Sequence, residues 1–298
     1  MQAFKSQQDY DEFVKMLIDK EIITANGIDI DELMDLRSYR GGVDSIFNRD
    51  IICFFITLLN NDIDVFAYLN DEVPASMFFD GEFENKQLPD IVLPDRIKNI
   101  RVHAFDFCNI HNIVFPSSLI KIGMDAFNHN SQLCIVDLSN TKCKEIGLAA
   151  FYVCSNLKKV ILPETIEMLG NSAFSGLEEH PCPLYSINFP KSLKKIDGYC
   201  FNCCSFTKLE FNEGLEIIGL NAFRGNKSLT EVILPTTLDN DTLNRIVDHN
   251  SFEYIFTGCD KLKTIYCKSK SQYDYLTSRQ PSHKKYSGIH VPKIELIK

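Results

Sequence analysis

The sequence predicts a solenoid of short parallel β-strands, with an α-helical region in front of it and a cap behind it. Three observations carry that prediction. Phe recurs at positions 105, 127, 151, 174, 201, 223 and 256, with spacings of 22, 24, 23, 27, 22 and 33 residues. A six-residue apolar pattern travels with it. The charge changes sign near residue 90: residues 1–90 carry 19 acidic and 7 basic side chains, and the remainder carries 21 and 24. Self-similarity at about 20–29 residues marks stacked supersecondary units, none of which can bury its own apolar face alone.

The first ninety residues read as helical. Over residues 8–24, Phe13, Met16, Leu17 and Ile22 fall on one helical face, and residues 29–37 repeat that spacing. Asp50 is placed to cap a third helix through residues 51–59, which is apolar around most of its circumference and therefore needs neighbours. Asn60, Asn61 and Asp62 read as a turn, residues 63–69 as a further short helix, and residues 80–90 as a linker or an incomplete first coil. A solenoid exposes an apolar end, so an acidic helical cap over residues 1–90 is one expectation. A separate effector or oligomerisation domain is the other.

About seven coils follow over residues 91–268. Residues 110–115, 157–162, 184–189 and 229–234 each place apolar side chains at positions one, four and six, and each is followed by Pro (116, 163, 190 and 235). Alternation along a strand sends positions four and six inward, position one stands inward just before the strand, and Pro stops the strand because it has no N–H to give. Stacking seven such strands predicts a sheet about 35 Å long. An Ile-Gly pair, as in Ile122-Gly123 and Ile146-Gly147, then marks a bend where a side chain would collide. The Phe is the large core residue of each coil, and Phe151→Ala is expected to cost about 3–5 kcal/mol. Three residues after it stands Cys (108, 154, 204, 259) or Asn (130, 226), which reads as a buried ladder position. Cys200 takes the place of the usual Ala and reads as a small core residue. Cys200 and Cys203 form a C-x-x-C, but no second pair stands at zinc spacing, so no metal or cofactor is expected. Residues 269–298 read as a C-terminal cap.

Taken together, Leu-x-x-Ile/Val-x-Leu/Phe-Pro-x-x-Leu/Ile-x-x-Ile-Gly-x-x-Ala-Phe-x-x-Cys resembles the BspA-like (Treponema pallidum-type) leucine-rich repeat family over about residues 91–267. The residues from Leu262 through Tyr273, Tyr275 and Ile289 resemble the usual end of such arrays. The resemblance implies a curved leucine-rich-repeat solenoid used for protein binding, and many family members are surface adhesins.

Function is then expected on the outward positions two, three and five of each strand. These bring His111, Asn112, Lys158, Lys159, Ile161, Tyr185, Asn188, Lys208, Glu210, Glu231, Ile233 and Tyr266 onto the concave face, with Ile135 among them. Apolar and aromatic side chains interleaved with Lys suit a protein interface. Two insertions lengthen coils and are expected to project toward a partner. One carries Glu178, Glu179 and His180. The other, residues 239–250, carries Asn244 and Arg245, with Asp241 or Thr242 placed to cap a short helix.

The remaining composition narrows the function classes. The 298 residues carry a net charge of −9, which argues against direct nucleic-acid binding. No apolar run reaches about 18 residues, so no membrane span is expected. There is no GxGxxG, P-loop or HExxH, and no Ser or Cys in a nucleophile turn, so the chain is not expected to be an enzyme. The start lacks a secretory pattern and the 11 cysteines are odd in number, so a cytoplasmic setting with reduced thiols is expected. The resulting expectation is an intracellular protein-binding scaffold, or an inhibitor that occludes a partner protein. A viral or mobile-element protein blocking a host defence complex is a specific form of it, and a surface adhesin is the alternative.

Overall fold

A computed structural model describes residues 90–248, 254–280 and 291–297. Before these it describes residues 8, 11, 12, 15, 66, 71–73, 75, 77, 78 and 88. Residues 8, 11, 12 and 15 are helical; the rest of the helices expected in the first ninety residues lies outside the described residues. From residue 71 onward the chain winds as a parallel β-solenoid.

In chain order the strands are β1 (Glu72–Val73), β2 (Ile91–Val92), β3 (Asn99–Ile100), β4 (Ile113–Val114), β5 (Lys121–Ile122), β6 (Ile135–Asp137), β7 (Glu145–Ile146) and β8 (Lys159–Ile161). They continue as β9 (Met168–Leu169), β10 (Ser186–Ile187), β11 (Lys195–Ile196), β12 (Lys208–Glu210), β13 (Ile217–Ile218), β14 (Glu231–Ile233), β15 (Thr264–Cys267) and β16 (Lys293–Leu296). Helix α1 (Asn240–Val247) follows β14, and α2 (Lys270–Arg279) joins β15 to β16.

Each coil contributes to two sheets. The front wall holds the strands foreseen from the apolar pattern, with Leu133, Val136 and Leu138, or Leu157, Val160 and Leu162, turned into the core. The back wall is built from the Ile of each Ile-Gly pair and the residue before it. The outcome differs from the single long front sheet expected. The back wall is the continuous one, with seven strands in the order β1-β3-β5-β7-β9-β11-β13. The front wall is cut into β2-β4, β6-β8-β10 and β12-β14-β15-β16. At the end of β10, which stops at Ile187, the Asn188 side chain accepts from Leu162 N–H at 2.7 Å and donates to its carbonyl at 2.9 Å, so a side chain replaces the last backbone rung between the β8 and β10 coils.

The glycines after the back strands are required by close approach of neighbouring coils. A Cβ on Gly147 would sit 2.8 Å from the Gly123 carbonyl carbon, and one on Gly170 would sit 2.6 Å from that of Gly147. The prolines hold a recurring turn, in which the carbonyls of Pro116, Pro163 and Pro190 accept from Leu119, Ile166 and Leu193.

The core is a single column. Phe78, Phe105, Phe127, Phe151, Phe174, Phe201, Phe223 and Phe256 stack ring on ring, with successive centroids 5.0–6.0 Å apart. Phe78 adds a ring that the repeat count from the sequence begins without, so the stack reaches to the N-terminal side of residue 91. Beside it runs the ladder read from Cys and Asn. The thiols of Cys108, Cys154, Cys204 and Cys259 and the amides of Asn130 and Asn226 donate to the carbonyls of Phe78, Phe127, Phe174, Phe223, Phe105 and Phe201 respectively. Each rung satisfies a buried carbonyl of the preceding coil, which is why only small polar donors recur there.

The back wall ends at β13, where α1 takes the place of a further back strand. The Ile218 N–H donates to Thr242 Oγ1 at 3.1 Å, and Arg245 Nη1 donates to the Ile218 carbonyl at 3.5 Å. Asp239, not Asp241 or Thr242, caps this helix by accepting from Thr242 N–H at 2.7 Å. Helix α2 packs against it: Gln272 donates to the Pro235 carbonyl, and Tyr275 Oη donates to Asn244 Oδ1 at 3.1 Å.

Candidate partner-binding face

The two outer surfaces of the solenoid differ in chemistry. On the back wall, charged residues on neighbouring coils pair with one another. Asp71–Lys98 lies at 3.1 Å, Glu72–Arg101 at 2.9 Å, Lys121–Glu145 at 2.9 Å, Lys144–Glu167 at 3.1 Å and Lys194–Glu216 at 3.4 Å. Opposite charges facing each other across parallel strands contribute a few tenths of a kcal/mol each, roughly 0.2–1, and leave that wall hydrated and internally balanced.

The front wall carries apolar groups instead. Its outward positions hold Val92 and Tyr185, each 62 % exposed, Val114 at 57 % and Ile135 at 55 %. These four are the most exposed large hydrophobic residues among the described ones, and all lie on one wall. Val92 pairs in register with Val114, and Ile135 with Lys159 and then Ser186.

The residues foreseen for this face fall in place unevenly. His111, Lys158 and Lys159 are exposed. Asn112 is exposed and donates to Asp90 at 3.1 Å. Ile161, Ile233 and Tyr266 are half-buried, because neighbours in the next coil cover part of each side chain. Asn188 is occupied with the Leu162 backbone, Lys208 and Glu231 pair at 3.8 Å, and Glu210 is exposed. Val92 is absent from the expected set because residues 80–90 read as a linker or an incomplete coil, although Leu88, Ile91 and Leu93 occupy positions one, four and six of the pattern. The repeated Ile/Val-x-Leu/Phe-Pro signal, present as Ile91-Val92-Leu93-Pro94, marks it.

The insertions sit elsewhere. Glu178, Glu179 and His180 are exposed on the edge that follows the Phe column, where Glu178 pairs with Arg224 at 3.2 Å. Asn244 and Arg245 belong to α1 and are engaged in holding α2 and the end of the back wall.

Chemistry beyond binding finds little to work with among the described residues. No three His, Cys, Asp or Glu converge as metal ligands. The ten described cysteines are free thiols, and burial pushes Cys143, Cys259 and Cys267 up to about 12. Such thiols stay protonated near neutral pH and are poor nucleophiles. No described helix is long and apolar enough to cross a membrane.

A parallel solenoid with a Phe column, a Cys/Asn ladder and a Pro-closed front strand defines a leucine-rich repeat protein. The chain belongs to the BspA type leucine-rich repeat family, whose model matches residues 77–179 and 180–245 in six copies. Among solved structures it is similar to a leucine-rich cell surface protein of Faecalibacterium prausnitzii (21 % identity, TM-score 0.44, covering 69 % of this chain and 59 % of that one). It is also similar to a leucine-rich repeat protein of Bacteroides ovatus (20 %, TM-score 0.39, 76 % and 60 %) and to the T. pallidum leucine-rich repeat protein (21 %, TM-score 0.37, 66 % and 71 %). The chain thus spans about three fifths of the length of the first two. No curated protein sequence matches it. The family generally mediates protein–protein interaction and is typically non-catalytic.

Proposed function

We propose that this chain is a non-catalytic protein-binding module that takes its partner on the front wall of the solenoid, as an intracellular scaffold or as an inhibitor that occludes the partner. One observation carries the reading: the four most exposed large hydrophobic side chains share the front wall, while the back wall is covered by cross-coil ion pairs. The exposed hydrophobic residues beside the back strands, Ile120, Met124, Leu148 and Leu220, are less exposed than these four, and a concentration of the most exposed ones on one wall is the mark of an interface. The ten free thiols support a reducing, cytoplasmic setting over that of a surface adhesin.

The test is affinity capture from the native cell with the full chain and with Val114→Asp/Ile135→Asp. The expected result is a defined protein partner that the double variant loses while its circular dichroism stays unchanged. Undiminished capture by the variant would remove the front wall from the account. Fractionation of the same cells with thiol labelling separates the settings: a cytosolic, fully reduced protein fits the scaffold or inhibitor, and a surface-exposed one fits the adhesin. An inhibitor that imitates nucleic acid with its acidic first ninety residues would bind a host defence complex with strong salt dependence.

A further inference from the structure

The front wall is not uniform, and its middle has a chemistry that specifies more than "protein". Lys158 and Lys159 stand side by side on β8 and just before it, both exposed. Ile135 lies in register with Lys159 on one side, and Tyr185 lies on the neighbouring coil on the other. Strands in a sheet are about 4.8 Å apart, so Ile135 and Tyr185, two coils distant, are separated by roughly 10 Å with the two ammonium groups between them.

Among the described residues, neither Lys158 nor Lys159 takes part in an ion pair, whereas the back-wall Lys98, Lys121, Lys144 and Lys194 each meet an acid one coil away. Of the front-wall acids, Asp137 lies one coil from the pair, Glu210 two, and Asp90 and Glu231 three. Asp137 accepts from the Ser139 N–H and hydroxyl at 2.9 and 2.6 Å, Asp90 is held by Asn112, and Glu231 faces Lys208. The result is two ammonium groups flanked by Ile135 and Tyr185, with Ser186 and Asp137 on the adjoining coils, on a chain whose net charge is −9.

Resting on the front wall as the binding surface, we infer that the partner docks an acidic amphipathic helix here, with apolar side chains at i and i+7 and carboxylates at i+3 and i+4. The helical rise of 1.5 Å per residue sets i and i+7 about 10.5 Å apart, which matches the spacing of Ile135 and Tyr185. Positions i+3 and i+4 share that helical face and fall over the two lysines. A single-stranded nucleic acid is the less suited polyanion. Tyr185 is the single exposed ring at this spot and faces the aliphatic Ile135, so successive bases have no platform to stack on, and the net charge of the chain opposes a phosphate backbone.

The test titrates three fluorescent probes into the full chain by anisotropy. They are a helical peptide with Leu at i and i+7 and Glu at i+3 and i+4, the same peptide with Lys replacing Glu, and an oligo-dT. The expected result is binding of the Glu peptide at least about tenfold tighter than the Lys peptide, weakening with salt. Lys158→Glu/Lys159→Glu is expected to reverse that preference with unchanged circular dichroism. Equal affinities, preference for the Lys peptide, or tighter binding of the oligonucleotide overturns the inference. A random peptide display library panned on the same protein runs alongside. Selected peptides of another composition that Ile135→Asp/Tyr185→Asp abolishes would sink the acidic helix alone. Selected peptides indifferent to that variant would sink the front wall as well.

Discussion

At the scale of single residues, the most unusual group lies in the first fully described coil. Asp106 is buried, and burial pushes its carboxyl up to about 6, partly opposed by a 2.8 Å contact between its Oδ2 and His103 Nδ1. His103 is itself raised above its usual value, chiefly by that contact, with Asp125 adding to it. Both groups hold protons more tightly in the folded chain than in the unfolded one. Their contribution to stability is therefore full below about pH 4 for Asp106 and below about 6.5 for His103, and is lost as pH rises through the raised values. Unfolding free energies from urea titrations between pH 4.5 and 7.5 are expected to fall with rising pH more steeply in the wild type than in Asp106→Asn, by roughly 1–3 kcal/mol over the window. Parallel profiles for the two proteins would refute the assignment. Nothing in the sequence pattern marks Asp106, because the same position holds Asn128, Tyr152, Ser175 and Asn202 in later coils. The Cys/Asn rungs are the opposite case: recurrence of small polar residues three places after Phe announces a shared buried partner.

At the scale of elements, the front strands and the Phe column were readable because each repeats a spaced pattern that only inward-facing side chains need. The back wall was not. Its strands are two residues long, too short to show alternation, and its single buried Ile sits beside a Gly that reads as a turn. Helix α1 shows a second limit. An insertion of twelve residues looks like a projecting arm from the sequence, yet its Thr242 and Arg245 serve the last back strand. An open sheet edge needs its outward N–H and C=O groups satisfied, and side chains of a helix do so here. Thr242→Val keeps the shape and removes the acceptor from the Ile218 N–H. The expected loss is about 1–3 kcal/mol in chemical unfolding, with faster amide exchange at Ile218. Thr242→Ser is expected to restore both, and a wild-type stability in Thr242→Val would show that the contact contributes nothing.

At the scale of the whole molecule, stability comes from one uninterrupted core that holds eight of the ten described cysteines, with Cys203 buried beside it. In a Cys53→Ser background, Cys53 lying outside the described residues, a thiol reagent under native conditions is expected to modify Cys134 first. The other nine are expected to react only at the rate of global or large subglobal opening, and several fast thiols would contradict a single continuous core. The two walls also share load unequally. A stack with one unbroken wall and one wall cut twice yields most readily where rungs are missing, between β4 and β6 and between β10 and β12. Flexing at those seams would let the three front panels tilt like slats while the spine keeps its length, changing the curvature of the front wall without parting any of the back strands.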